Sequence, residues 1–264
     1  MEPTAPIAAT AAARAETGTS AVRSFWVWAT TAPSYPPDAG DLRSMSVLGV
    51  RLPVRASLAI LIVSLLVLLD HGGRLLGFFW DGQGGTVEML RARAVSRGVV
   101  LGCGALLAIL FVLRDAPARY GLRLGDARAG ISFALVGCVV MTPIVFVAAM
   151  VPDFRSYYVD AAATTPLNVV VTTAVEVVPV ELFFRGLLMF ALVRVIGPLG
   201  ILLATLPFAF AHIGKPEIET ISTLFGGFAY GWLDWRTGSV LWSGLAHTYI
   251  LSLVILVSGA LGGT

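Results

Sequence analysis

Seven apolar stretches, at 56–69, 98–113, 131–151, 167–192, 199–211, 221–232 and 240–261, dominate this chain. A helix rising about 1.5 Å per residue needs roughly 20 apolar residues to cross about 30 Å of hydrocarbon. Several of the stretches reach that length, and others are shorter or broken by glycine. Hydrocarbon offers no water to an exposed backbone, so each span must satisfy its own N–H and C=O groups as a helix. Hydrophobic residues make up 57% of the chain, charged residues 13%, and the mean hydropathy is +0.85. That balance excludes a water-soluble globule. It predicts an all-α, polytopic transmembrane bundle of about six to eight helices with the lipid bilayer as partner.

The net charge of +2 is small and the basic residues lie between apolar runs, so no nucleic-acid partner is implied. Arg114, Arg119, Arg123 and Arg128, followed by Arg194 and Arg236, mark a cytoplasmic side by the positive-inside bias, and 151–166, with two Asp and one Arg, marks the outer side. Arg91, Arg93 and Arg97 break that alternation. Either a re-entrant piece lies near 75–90 or the first spans are misplaced. Residues 1–50, rich in Ala, Thr, Ser and Pro and lacking a continuous apolar h-region, read as a disordered tail without a cleaved signal peptide. Phe25, Trp26 and Trp28 would let that tail touch the interface. Residues 51–264 form the integral membrane domain, with the chemistry expected in 154–264 and a bacterial inner membrane as the expected location. Cys103 and Cys138 fall inside spans without a CxxC pattern and read as small buried apolar residues. Oligomeric state is not legible, because small-residue helix faces serve intramolecular packing equally well.

Against this background, Glu181 and Arg185 stand one helical turn apart within the run 167–195. An ionisable side chain near the bilayer centre costs roughly 2.5–3.5 kcal/mol, so the pair must face the inside of the bundle and marks a functional site. The turn at Gly197-Pro198 lies between two apolar helices, with Glu181 before it and His212 after it. At 1.5 Å per residue both sit roughly 20–24 Å from the turn. His247, past the turn at Thr237-Gly238, rises about 13–14 Å from the same side. Both histidines are thus placed within reach of the carboxylate. His71, following Asp70, has no partner motif. Gly226, Gly227 and Gly231 read as close helix packing, and Asp234 and Arg236 read as a solvated pair or a turn at a helix end.

The ordered set Glu181-Leu-Phe-Phe-Arg185-Gly186, Phe208-Ala-Phe-Ala-His212 and Gly231-Trp-Leu-Asp-Trp-Arg-Thr-Gly-Ser239 leading to His247 resembles the CPBP family, the CAAX protease and bacteriocin-processing (Abi) intramembrane peptidases. The likeness runs from about Phe154 to Leu251. It implies a membrane-embedded endopeptidase with Glu181, His212 and His247 as catalytic residues, Arg185 and Phe208 in support, and a protein or peptide substrate presented in the membrane. Two positions depart from the family pattern. Val180 stands where the first glutamate, generally assigned as the base, is usual, and Leu251 stands where Asn or Asp is usual. The run His212-Ile-Gly-Lys-Pro-Glu-Ile-Glu219 resembles a branch with a single glutamate before Phe-Phe-Arg-Gly, near the myxosortase-type sorting peptidases.

Peptide hydrolysis in a membrane needs a base for water, a donor for the oxyanion and an acid for the leaving amine. Glu181 and one histidine supply the base and its orienter, and the other histidine a hydrogen bond to the oxyanion. A further carboxylate is expected from Glu219, folded back past Gly214 and Pro216, or from Glu176 on the face of Val180. No cofactor is expected; a zinc on His212, His247 and Glu181 is the alternative chemistry. Two other classes remain: an inactive membrane scaffold of the same fold binding a partner or lipidated peptide, motivated by Val180 and Leu251, and a transporter using the buried charges, against which no inverted repeat is visible.

Overall fold

A computed structural model describes residues 22–71, 73–83 and 85–262. The chain forms α1 (22–30), α2 (Ala39–Leu42), the hairpin β1 (Ser44–Val47) and β2 (Val50–Pro53), then α3 (Val54–His71), α4 (Thr86–Val112), α5 (Ala127–Ala149), α6 (Pro152–Tyr158), α7 (Pro166–Ile196), α8 (Leu199–Phe210), α9 (Glu217–Thr237) and α10 (Leu241–Gly262). Five of these, α3, α4, α5, α7 and α10, are long and apolar enough to cross a membrane. The apolar α8 has 12 residues, and α9 has 21 but carries Glu217, Glu219, Asp234 and Arg236. The protein is a polytopic helical bundle and an integral membrane protein, with five spanning candidates against the six to eight helices expected.

Side-chain placement follows from what each helix faces. On α5, Ile131, Leu135 and Val139 recur every fourth residue and are exposed, the outward stripe of a lipid-facing helix. By contrast, every residue of α7 from Val180 to Arg194 is buried. A helix apolar on all sides is a central one, and α7 is the axis on which α3, α4, α8 and α10 pack. Cys103 is exposed and Cys138 half-buried, so the expected burial of the two thiols gives way to positions on the outer faces of α4 and α5.

The difficulty with Arg91, Arg93 and Arg97 is resolved by the length of α4. No re-entrant piece is present over the described part of 75–90; the second span begins at Thr86 instead of 98, and the arginines sit in its first turns. Arg97 reaches Asp70 of α3 at 2.9 Å and Glu176 of α7 at 2.6 Å, and Arg93 reaches Glu176 at 3.0 Å. Carboxylates from neighbouring helices thus hold Arg93 and Arg97 inside the bundle, while Arg91 is exposed.

The expected tail is also corrected within the described residues, while 1–21 lie outside them. Asp41 is 1% exposed and pairs with Arg119 at 2.6 Å and Arg194 at 3.2 Å, and Arg55 reaches Asp38, Asp41 and Asp115. Trp28 stacks on Phe133, and its carbonyl accepts from Arg236 at 2.7 Å. Charge, absent from most of the first 37 residues, is what fastens 38–55 to the loop ends. Burial alone would raise the Asp41 carboxyl, but the Asp38 backbone N–H and the Arg194 and Arg119 guanidinium groups outweigh it and hold it below the usual carboxylate range. The loop after α4, the α7–α8 turn and the α9–α10 turn all meet at this end, which carries the arginines of the positive-inside reading.

Candidate active site

Four helices converge where α7 changes its winding. Pro179 lacks an N–H, and the stretch Leu182–Met189 just beyond it is π-helical, a local widening frequent at functional positions. Glu181 immediately precedes that stretch and is 0% exposed. Its Oε1 accepts a hydrogen bond of 2.7 Å from Nδ1 of His247 on α10, and its Oε2 lies 3.2 Å from Nη1 of Arg185. Arg185 is 2% exposed, donates to the Gly227 carbonyl of α9 at 3.3 Å and lies 3.9 Å above the Phe208 ring of α8. The one cation therefore neutralises the carboxylate and ties α7 to α8 and α9.

Phe208 organises the two imidazoles. Its ring centroid is 4.6 Å from that of His212 and 6.1 Å from that of His247. His212 Nδ1 lies 2.8 Å from the Phe208 carbonyl. A carbonyl only accepts, so Nδ1 carries the hydrogen and the neutral ring keeps its lone pair on Nε2. In the same way His247, donating through Nδ1 to Glu181, leaves its own Nε2 free. Tyr230 of α9 stacks on His247 with centroids 5.0 Å apart and planes inclined by 23°.

The structure thus brings together Glu181, Arg185, Phe208, His247 and, across the phenyl ring, His212. It does not bring in the two accessory carboxylates expected from sequence. Glu176, one turn before Val180, turns toward Arg93 and Arg97, and Glu219 accepts from Lys215 at 2.7 Å and from the Tyr158 hydroxyl at 2.5 Å. The i,i+4 bond to Lys215, which lines a cleft at one end of the bundle, holds Glu219 away from Glu181 and the two histidines. His71 lines that cleft too, with Asp70 and Lys215. Glu181 is fully buried, with Oε1 on His247 and Oε2 beside Arg185, so a zinc on His212, His247 and Glu181 would have to displace those contacts. Among the described residues no three His, Cys, Asp or Glu side chains converge as metal ligands.

Asp234 and Arg236 are not a solvated pair: Asp234 is 0% exposed and 2.9 Å from the Ser243 hydroxyl, and Arg236 turns away to Asp126 at 2.9 Å. Ser243 precedes His247 by one turn, a spacing that would have linked it to the site face. Tyr230 precedes Asp234 by one turn in the same manner. Gly227 and Gly231 do mediate close packing, against Thr205 and Ile201, but Gly226 faces open space.

The site communicates with one end of the bundle. A cavity of about 30 Å³ is lined by His212, Val180, Phe184, Leu101, Asp70, Arg97 and Lys215. Asp70, Arg97 and Lys215 also line a neighbouring cleft of about 190 Å³. Beyond it a third cavity of about 170 Å³, sharing Arg93, Tyr157 and Lys215 with that cleft, has an apolar wall of Leu90, Val169, Leu251 and Ile255. Leu251 is therefore part of this apolar wall.

No curated protein and no solved structure gives a match to the chain. Residues 162–252 match the family model described as type II CAAX prenyl endopeptidase Rce1-like. That segment contains Glu181, Arg185, Phe208, His212, Tyr230 and His247, and over it the chain is similar to the Rce1-like type II CAAX prenyl endopeptidases.

Proposed function

We propose that the protein is an intramembrane endopeptidase that cleaves a membrane-presented protein or peptide near a terminus, at a site opening to the end opposite the arginine-rich loops. The observation carrying this reading is the buried Glu181–His247 pair, 2.7 Å apart, with His212 on the other side of Phe208. A carboxylate on Nδ1 orients an imidazole and stabilises its protonated form. His247, doubly protonated, would donate through Nε2 to the oxyanion or the leaving amine, and the free Nε2 of His212 would accept from the attacking water. Arg185 keeps Glu181 in one geometry. The chemistry runs on side chains and water.

Positive-inside bias puts Arg114, Arg119, Arg123, Arg128, Arg194 and Arg236 in the cytoplasm, so the opposite end, with the His212 cavity, faces outward. That orientation favours a substrate terminus exposed on the outer face, such as a C-terminal sorting signal, over one modified in the cytoplasm. It agrees with the single-glutamate branch and with a bacterial inner membrane. The apolar wall at Leu251 suits apolar residues of the cleaved segment. Comparative mass spectrometry of membrane-protein termini from wild-type and deletion cells tests the reading. A defined group of proteins retaining an extra terminal segment in the deletion is the expected result; identical termini would refute it.

A further inference from the structure

The cavity beside His212 holds a carboxylate that the site as described does not use. We propose that Asp70, on α3, is the carboxylate that accepts the proton of the attacking water, occupying the chemical place left vacant by Val180. This inference rests on the peptidase reading.

Depth gives the first reason. From Val54 at the start of α3 to Asp70 is 16 residues, and from Ile196 at the end of α7 back to Val180 is also 16. Both helix ends meet the same loop layer, where α3's Arg55 and α7's Arg194 share Asp41 and Asp115. At 1.5 Å per residue, Asp70 and Val180 lie at one level, about 24 Å from that layer.

The cavity gives the second. Asp70, Val180 and His212 all line the same space of about 30 Å³, room for one or two waters. Val180 gives it an apolar wall; Asp70 and His212 supply acceptors. With Nδ1 of His212 committed to the Phe208 carbonyl, its Nε2 accepts one water hydrogen, and Asp70 accepts the other.

The third reason is how Asp70 is held. Arg97 contacts only Oδ2, through Nε at 3.2 Å and Nη2 at 2.9 Å, while its Nη1 is occupied by Glu176 at 2.6 Å. One oxygen is fixed by a guanidinium that is itself fixed, which positions the other without consuming it. Glu176 is held through one oxygen as well, Oε1, by Arg93 and Arg97, but unlike Asp70 it does not line the His212 cavity.

In the reaction the water oxygen bonds to the scissile carbonyl carbon as one O–H proton passes to Asp70. Collapse breaks the C–N bond, and that proton goes to the leaving nitrogen. One water is consumed and Asp70 returns to its starting state.

The test compares termini in cells carrying the full chain as wild type, deletion, Asp70→Asn, Asp70→Glu, and Asp70→Asn with Val180→Glu. Asp70→Asn retains shape and a hydrogen bond to Arg97, so a structural role leaves it active. A base role predicts loss by roughly 10²–10⁴-fold, at unchanged abundance, with recovery in Asp70→Glu or in the double variant that returns a carboxylate to the cavity from the other wall. Wild-type processing by Asp70→Asn overturns the assignment, as does a loss that neither glutamate variant restores. If the deletion itself changes no terminus, the peptidase reading fails instead.

Discussion

His247 Nδ1 lies 2.7 Å from Glu181 Oε1, a bond joining α10 to α7 in the interior of the bundle. Arg185, 3.2 Å from Oε2 of the same carboxylate, is the charge partner that makes a buried ion tolerable. Glu181→Gln leaves that arginine buried without its counter-charge, a loss of about 3–5 kcal/mol in such settings. Thermal unfolding in nanodiscs is expected to show a clear drop for Glu181→Gln. Adding Arg185→Met recovers most of the stability and none of the processing.

Tyr230 stacks on His247 at 5.0 Å and holds the plane of the ring that Glu181 orients. Tyr230→Leu removes the flat surface and is expected to lower processing roughly tenfold, while Tyr230→Phe keeps most of it. Immunoblots of the membrane fraction separate this from loss of protein.

At the arginine-rich end, Asp41 makes stability depend on pH. Its carboxyl is held below the ordinary range, so it contributes stability above the unfolded-state value near 3.9 and loses it as pH falls through the folded value. Melting temperature is therefore expected to fall on acidification below about pH 4. Asp41→Asn, already less stable at neutral pH, should show a smaller acid-dependent fall.

Glu219 bonds to Lys215 and Tyr158 and touches none of Glu181, His212 or His247. Glu219→Gln is expected to keep processing within about fivefold of wild type, the scale of a partly exposed ion pair. Complete loss would return Glu219 to the chemistry.

Sidedness is open to a direct label. With Cys103 and Cys138 replaced by serine, a single cysteine at Thr86 or Tyr157 should react with an impermeant maleimide from outside intact spheroplasts. One at Arg128 should react only after lysis. The reverse pattern would put the cleft in the cytoplasm.

Much of this arrangement was legible in the sequence because hydropathy and depth are linear quantities. Counting residues from Gly197-Pro198 and Thr237-Gly238 was enough to bring Glu181, His212 and His247 to one locality. What escaped were features set by lateral neighbours. Arg93 and Arg97 looked like loop residues because their partners, Asp70 and Glu176, lie on other helices. Asp38 and Asp41 looked like tail residues because Arg55, Arg119 and Arg194, which hold them, come from three separate places in the chain. Asp234 looked solvated because it lies near a helix end, yet the hydroxyl that it faces belongs to Ser243 on the next helix. Helix period gives the face of a helix, and only the packed bundle shows what stands opposite.

The most direct test of the central claim is complementation of the deletion by wild type, His212→Ala and His247→Ala, with membrane-protein termini read by mass spectrometry at matched expression. The account predicts that wild type restores the cut termini and that neither histidine variant does. Termini restored by both variants would show that the imidazoles around Phe208 are structural and that the chain is not a peptidase of this kind.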